Sequence, residues 1–341
     1  MQFQSTIRRL ASVSLLALLS GCTHNMVRDM AGSGMVNFGN EYITPWFMAS
    51  DDTDVMCAMG EGMGAMTFPL GPATDPMVPM LTMASGMCAD ERAKEEELRY
   101  IRAMRKNDAE EAQDARTLQK RWSELAARRQ YFGYQAVVRY FGEPGEECPD
   151  FADRNEQLSY MFGLFGGIQA FQTDLSNGGT AGVPLSVLPK SLKGLDCLKG
   201  DEFWGLPQAI KASVDIMKAN IGGEKEALDV GMAQMDAASR IGQKQGVRIV
   251  QLVEASLYAA MGNTEKTKQV IREHVKLKNT VAADPELKIL DEMTTRGLRL
   301  ISDKLWTQNT GQRTPYAALG TFWDDSTANS ASQGMDIDDL L

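Results

Sequence analysis

A helix, a tight turn and a second helix are predicted by the stretch Leu257-Tyr258-Ala259-Ala260-Met261-Gly262-Asn263-Thr264-Glu265-Lys266. The alanines before the turn let two helices cross closely, and Gly262 supplies the backbone freedom that ends the first one. The same punctuation recurs at Gly222-Gly223, Gly246 and Asp284-Pro285. It predicts helices near residues 202–220, 224–243, 247–261, 264–279 and 285–306.

The composition of the 341 residues favours helix throughout the chain. Ala, Met, Leu, Glu, Lys and Arg are good helix formers and are abundant, whereas no run alternates Val, Ile or Thr with polar residues as a strand would. We therefore expect an all-α fold built from packed helical hairpins. The net charge of −10 argues against nucleic acid as a partner, because an acidic surface repels phosphates.

The first 22 residues have the features of a secretory signal. Arg8 and Arg9 precede an apolar run, Leu10 to Leu19, which is shorter than the roughly 20 residues that a membrane-spanning helix needs. Small residues then lead to Cys22. This order predicts a signal peptide over residues 1–21, and the alternative is an ordinary secretory signal followed by an incidental cysteine.

Leu19-Ser20-Gly21-Cys22 resembles the lipobox of bacterial lipoproteins. The resemblance implies a lipid on the Cys22 sulfur, cleavage before Cys22 and acylation of the new amino terminus, so the acyl chains would hold the protein on a lipid bilayer. In that family an Asp after the cysteine signals retention in the inner membrane. Thr23 occupies this position, which implies an outer-membrane lipoprotein that faces the periplasm.

Four further cysteines, in an oxidising compartment, are expected to form two disulfides with three pairings open to them. Asp51-Asp52-Thr53-Asp54 predicts the start of a helix that ends near Met66, and three prolines in 67–76 predict a turn before a helix to about Lys106. In such a hairpin Cys57 and Cys88 are equidistant from the turn, which favours their pairing. Cys148 and Cys197 then follow by elimination.

The predicted organisation has five parts. A lipidated tether over 22–50 contains a short helix, around 26–41, and a break at Pro45. A helical region over 51–142 ends at Gly142-Glu143-Pro144-Gly145, and helical hairpins with an ordered loop at 176–200 occupy 143–306. The last part, 307–341, is predicted to be an acidic disordered tail. Within it, short docking peptides are the alternative interpretation, at Phe322-Trp323-Asp324-Asp325 and Ile337-Asp338-Asp339-Leu340-Leu341.

Methionine recurs at helical spacing in the first hairpin, at Met56, Met59, Met63 and Met66 and again at Met77, Met80, Met83 and Met87. One interpretation is a soft hydrophobic seam between two helices. The other is Cu(I) handling, because thioethers suit soft metals and Met-x-x-Met places two sulfurs on one helix face.

The sequence gives little support to catalysis. His24 lies beside Cys22, and His274 lies on a charged helix where we expect it at the surface. No Gly-x-Ser-x-Gly or zinc motif is present. We therefore predict no enzyme activity, catalytic residue, metal site or cofactor, and we keep a hydrolase built on paired carboxylates as a third hypothesis.

The hairpin at 257–266 resembles the tetratricopeptide repeat, and residues 100–112 share its character. Together with the lipobox, the Met- and Ala-rich helices and the helix start at Asp51-Asp52-Thr53-Asp54, the chain is similar to the T-component lipoproteins associated with tripartite (TRAP) transporters. This resemblance implies a tetratricopeptide-like α-solenoid, a homo-oligomer and a periplasmic substrate-binding protein as partner. The predicted function is a helical scaffold for a protein partner or small apolar ligand, as an accessory of a solute transporter.

Overall fold

A computed structural model of the protein describes residues 25–325. Helices and no strands are found in this range, which confirms the all-α prediction. The successive hairpins of the C-terminal half are compatible with tetratricopeptide-like packing. The predicted signal peptide, Cys22 and His24 lie outside the described residues, as does the segment 326–341.

The N-terminal helix is longer than predicted. Helix α1 covers 25–38, continues through a π-helical turn at Gly39–Ile43 and leads directly into α2 at Thr44–Met48. The predicted break at Pro45 is wrong, because Pro45 occupies the first turn of α2. Pro45 follows directly on the π-helical turn, where the bond from Thr44 N–H to the Gly39 carbonyl already departs from the α-helical pattern.

Four helices form the first half of the body: α3 (Thr53–Thr67), α4 (Val78–Arg105), α5 (Ala109–Phe141) and α6 (Arg154–Ser176). Three of them begin at an aspartate that accepts hydrogen bonds from first-turn backbone N–H groups, as Asp52, Asp108 and Asp153 do for α3, α5 and α6. The predicted start at Asp51-Asp52-Thr53-Asp54 is thus confirmed. A 3₁₀ segment, Phe68–Thr74, makes the predicted turn between α3 and α4.

Both predicted disulfides are present. Cys57 pairs with Cys88 and ties α3 to α4, the pairing that the hairpin geometry favoured. Cys148 pairs with Cys197 and joins the segment before α6 to the 3₁₀ turn Leu195–Cys197.

The predicted loop at 176–200 is partly helical, because α7 occupies Val187–Gly194. The preceding turn is fixed by Asp174, whose buried carboxylate accepts hydrogen bonds from the backbone N–H groups of Ala181 and Val183 at 2.7 and 2.8 Å. The short α7 lies within a segment rich in Gly and Pro, a composition that favours a loop.

The second half contains α8 (Leu206–Gly222), α9 (Lys225–Lys244), α10 (Ile249–Ala260), α11 (Thr264–Thr280) and α12 (Lys288–Thr310). The turn at Gly262-Asn263 forms as predicted: Gly262 has a φ of 71°, and the Asn263 side chain accepts a hydrogen bond from the N–H of Lys266. One hydrophobic cluster includes Met83 and Leu158 together with Ile289 and Met293. The predicted boundary near residues 142–145 therefore separates two lengths of chain but not two cores.

Residues 307–325 of the predicted disordered tail do not match the prediction. Helix α12 runs to Thr310, and the following residues return to the body so that Phe322 is fully buried. The Trp323 ring packs edge-on against Trp306, and the Asp324 carboxylate accepts a hydrogen bond from buried Lys268 at 2.5 Å. These aromatic and ionic contacts order 311–325, which the acidic, Ser- and Asn-rich composition of the whole tail had concealed.

Across residues 25–325, none of the helices combines the length and the apolar character needed to cross a bilayer.

Candidate ligand-binding cavity

A cavity of about 760 Å³ lies where the two halves of the body meet. Its walls come from α3, α4, α6 and α7 on one side and from α8, α10 and α12 on the other. The volume falls within the range of roughly 300–1,000 Å³ that small-molecule sites occupy. No short stretch of sequence contains this feature, because the lining residues extend from Met56 to Leu300.

The walls of the cavity are mainly apolar. Helix α6 contributes Phe165 and Phe171, α10 contributes Leu252, and α8 and α12 contribute Met217 and Met293. Long unbranched thioether side chains can adjust to ligands of different shape at low energetic cost. Such a lining favours an apolar or amphipathic molecule over a polar metabolite.

Two helices approach closely beside the cavity because one position has no side chain. A Cβ atom added at Gly297 of α12 would lie 2.6 Å from a methyl carbon of Leu252 on α10. Glycine therefore sets the spacing of α10 and α12, whose side chains form one wall of the cavity.

Charged groups of the cavity are concentrated on α4 and α12. The Lys94 ammonium lies 2.7 Å from the Asp90 carboxylate, one turn away on the same helix. The Arg296 guanidinium of α12 lies 2.8 Å from Glu91 and also contacts Asp54 at 2.6 Å. Since both acids of this lining are ion-paired, neither is presented as an unpaired general base of the kind a carboxylate-based hydrolase needs.

Lys94 is a protonated donor within the cavity. Lys94 lines the cavity, and 44% of its side-chain surface is accessible. Burial acts to lower the pKa of the ammonium, but Asp90, Glu97 and Glu91 outweigh it and the pKa is raised. An ammonium has three N–H bonds, so Lys94 can contact Asp90 and still donate to an acidic ligand group.

Five of the eight methionines singled out in the first hairpin belong to the main hydrophobic cluster or pack against it. Met56 and Met83 are buried in the main hydrophobic cluster, and Met59, Met80 and Met87 pack against it. Met66 is 65% exposed. Within residues 25–325 no three His, Cys, Asp or Glu side chains are grouped closely enough to hold a metal ion, and Cys57 and Cys88 are used in the disulfide.

His274 is fully buried, so the predicted surface position is wrong. Its Nδ1 lies 2.8 Å from Gln251 Oε1, and its Nε2 lies 3.0 Å from the Thr295 hydroxyl. The pKa of the imidazole falls to about 4, chiefly because burial disfavours the charged form and also because Arg248 and Lys278 are near. His274 is therefore a neutral residue joining α10, α11 and α12, with both ring nitrogens engaged.

A buried ion pair strengthens the same three helices. Arg248 and Asp291 are almost fully buried and share two hydrogen bonds, of 2.7 and 2.6 Å. The Arg248 guanidinium also donates to the carbonyl of Val281, immediately after α11. Neither the pair nor the histidine network could be read from local sequence, since the partners are separated by 21 to 43 residues.

One carboxyl group on α10 has an unusual ionisation. Burial raises the pKa of Glu254 to about 7, and the charges of Asp236 and Glu273 add to this effect. A raised carboxyl pKa is common among general acids. However, Glu254 does not line the central cavity, so this acid and the candidate ligand site are separate features.

The sequence thus predicts the two disulfides but not the cavity, which one of them borders, since Cys57 and Cys88 both line it. Comparisons with protein-family models, curated proteins and solved structures find no match to this chain.

Proposed function

We propose that this protein is a lipid-anchored, non-enzymatic binding protein whose helical body holds a small amphipathic ligand in the central cavity. The cavity itself carries the proposal, because it joins apolar walls from both halves of the body to a protonated lysine on α4. We expect the apolar part of the ligand to contact Phe165 and Phe171. An acidic head group, as in a fatty acid, would accept a hydrogen bond from Lys94.

The proposed location follows from the sequence at Cys22. Its acyl chains would hold the body on the periplasmic side of the outer membrane, where amphipathic ligands are present at the bilayer surface. The helical hairpins support a second part of the proposal, in which a periplasmic protein partner receives or delivers the ligand as an accessory to a solute transporter. A homo-oligomer is part of the same proposal, through the resemblance to T-component lipoproteins.

Binding of a fluorescent fatty acid to a chain that starts at Thr23 tests the ligand site. Ala260 at the end of α10 and Ala237 on α9 are both exposed, but only Ala260 lines the cavity, so Ala260→Trp and Ala237→Trp form a matched pair. We expect Ala260→Trp to weaken binding at least tenfold and Ala237→Trp to leave it within twofold of the unmodified chain. Equal affinities for the two variants would contradict the assignment of the cavity as the ligand site.

The charge requirement is tested separately with Lys94→Met, which keeps an apolar chain of similar length. We expect this variant to lose affinity for the fatty acid but to retain affinity for the corresponding fatty alcohol. If both ligands lose affinity equally, Lys94 supports the shape of the cavity and does not recognise an acid.

Soft-metal binding is a second candidate function, because the thioethers of Met56, Met87, Met217 and Met293 line the same cavity. Sulfur ligands of this type favour Cu(I). Titration of the chain with Cu(I) against a competing chelator tests this candidate. A Met217→Leu, Met293→Leu variant should lose the metal but keep the fatty acid, whereas no binding stronger than that of the chelator would exclude this candidate.

A further inference from the structure

An apolar stripe is exposed along the N-terminal helix. Met26, Met30, Phe38, Tyr42 and Trp46 follow at steps of four or eight residues and are each between 53% and 66% exposed. Residues four apart lie on the same helix face but drift slowly around it. The wider π-helical turn at Gly39–Ile43 partly offsets this drift, so the aromatic residues remain neighbours, with the Phe38 and Tyr42 rings 5.4 Å apart.

The opposite face of the same helix is fixed to the body. A Cβ atom at Gly32 would meet the Ala73 side chain at 2.7 Å, and one at Gly39 would meet the Met77 side chain at 2.5 Å. Phe47, at the end of α2, is buried in the main hydrophobic cluster. The stripe therefore cannot turn inward, because the face opposite to it already packs on the body.

We infer that this stripe, Met26 to Trp46, lies in the interfacial region of the lipid bilayer. The inference rests on the proposed lipid anchor, since Cys22 is only four residues before Met26 and an extended chain of that length reaches roughly 14 Å. Acyl chains on Cys22 would thus bring the start of the stripe to the membrane. Tyr and Trp, which supply its far end, are the side chains that prefer the membrane–water interface.

The charges of the helix and of the whole chain indicate that the proposed membrane contact is apolar and not electrostatic. Arg28 and Asp29 form an ion pair with each other at 3.0 Å, and Glu41 adds a further negative charge to the helix. Since the whole chain has a net charge of −10, anionic lipids should not favour binding. The interaction is apolar, so it should occur on zwitterionic phosphatidylcholine and survive high salt.

The experiment measures co-sedimentation of the chain starting at Thr23, which contains all the described helices, with phosphatidylcholine vesicles. The stripe variant is Phe38→Ser, Tyr42→Ser, Trp46→Ser. A matched control changes three exposed apolar residues elsewhere, as Met104→Ser, Leu185→Ser, Tyr316→Ser. We expect at least tenfold weaker vesicle binding for the stripe variant and less than twofold change for the control.

Trp46 reports the contact directly. Its fluorescence should shift to the blue on vesicle addition and be quenched by lipids brominated near the head group, and both signals should vanish in Trp46→Phe. Equal vesicle binding by the stripe and control variants would overturn the inference. It would also be overturned if the unmodified chain ignored vesicles and formed a dimer that the stripe variant abolished, because the stripe would then be covered by a second copy.

The outcome is separable from that of the proposed function. Fatty-acid binding should be unchanged in the stripe variant, since no stripe residue lines the cavity. Mass spectrometry of the full chain reports acylation of Cys22 independently of vesicle binding by the shortened one. A lack of acylation at Cys22 and a lack of vesicle binding by the stripe are therefore detected by different measurements.

Discussion

Replacing Glu254 by Gln should make the protein less stable to mild acid, relative to the unmodified chain, by about 2 kcal/mol between pH 7 and pH 5. The pKa of Glu254 is about 7 in the folded protein because of burial and the neighbouring Asp236, against 4.5 for the unperturbed group. Between these values the folded state holds more protons than the unfolded state. The stabilisation from this group is therefore full below about pH 4.5 and is lost as the pH rises through 7.

His274 should have the opposite effect. Its pKa is about 4 in the folded protein, where burial excludes the charged imidazolium, against 6.5 when unperturbed. The unfolded state then holds more protons between pH 4 and 6.5, so the stabilisation from this group is present above 6.5 and is lost on acidification. The loss is again about 2 kcal/mol from pH 7 to pH 5. His274→Gln should therefore resist acid better than the unmodified chain, whatever its absolute stability.

Urea unfolding at pH 5, 6 and 7, followed by circular dichroism at 222 nm, gives the free energy of unfolding of each variant. Both effects are measured as differences in how this free energy changes with pH. In the unmodified chain the two contributions nearly cancel, so neither is visible without the variants. Glu110→Gln, on the exposed surface of α5, serves as the control and should follow the unmodified chain. Parallel pH profiles for Glu254→Gln and Glu110→Gln would refute the reasoning, because they would show that Glu254 ionises as an exposed carboxyl group does.

Three further changes test the contacts that hold the body together. Cys57→Ala, Cys88→Ala opens a loop of 31 residues and should lower the urea-derived free energy of unfolding by about 3.7 kcal/mol. Arg248→Met should cost about 3–5 kcal/mol in the same assay, and most of this should return in Arg248→Met, Asp291→Leu, which leaves no unpaired charge. Phe322→Ala should cost about 3–5 kcal/mol and expose the final described segment to limited proteolysis.

The features that the sequence predicted well depend on neighbouring residues. Asp52 and Gly262 were recognised because a helix cap and a helix stop are satisfied within one turn of chain. The pairing of Cys57 with Cys88 was also accessible, since an antiparallel hairpin with a short turn fixes which positions face each other. In each case the relevant contact lies within a single helix or a single hairpin.

The features that were missed depend on distant residues. His274 has a charged sequence context, and its burial arises from Gln251 and Thr295 on two other helices. The acidic composition around Phe322 predicts disorder, whereas the structure buries this side chain against the helices. Tertiary contacts outweigh the average composition of a segment wherever a few of its large apolar side chains are buried against the rest of the protein.

The central cavity also depends on residues that are distant in the sequence. Its walls include α4 and α6 from the first half and α10 and α12 from the second. A ligand held there would contact both halves and would be released when they separate, so binding should stabilise the whole body rather than one hairpin. At a free ligand concentration 100 times the Kd, this linkage amounts to about 2.7 kcal/mol. The stabilisation from a bound ligand would thus compare in size with that from one disulfide, which links ligand capture to the integrity of the body.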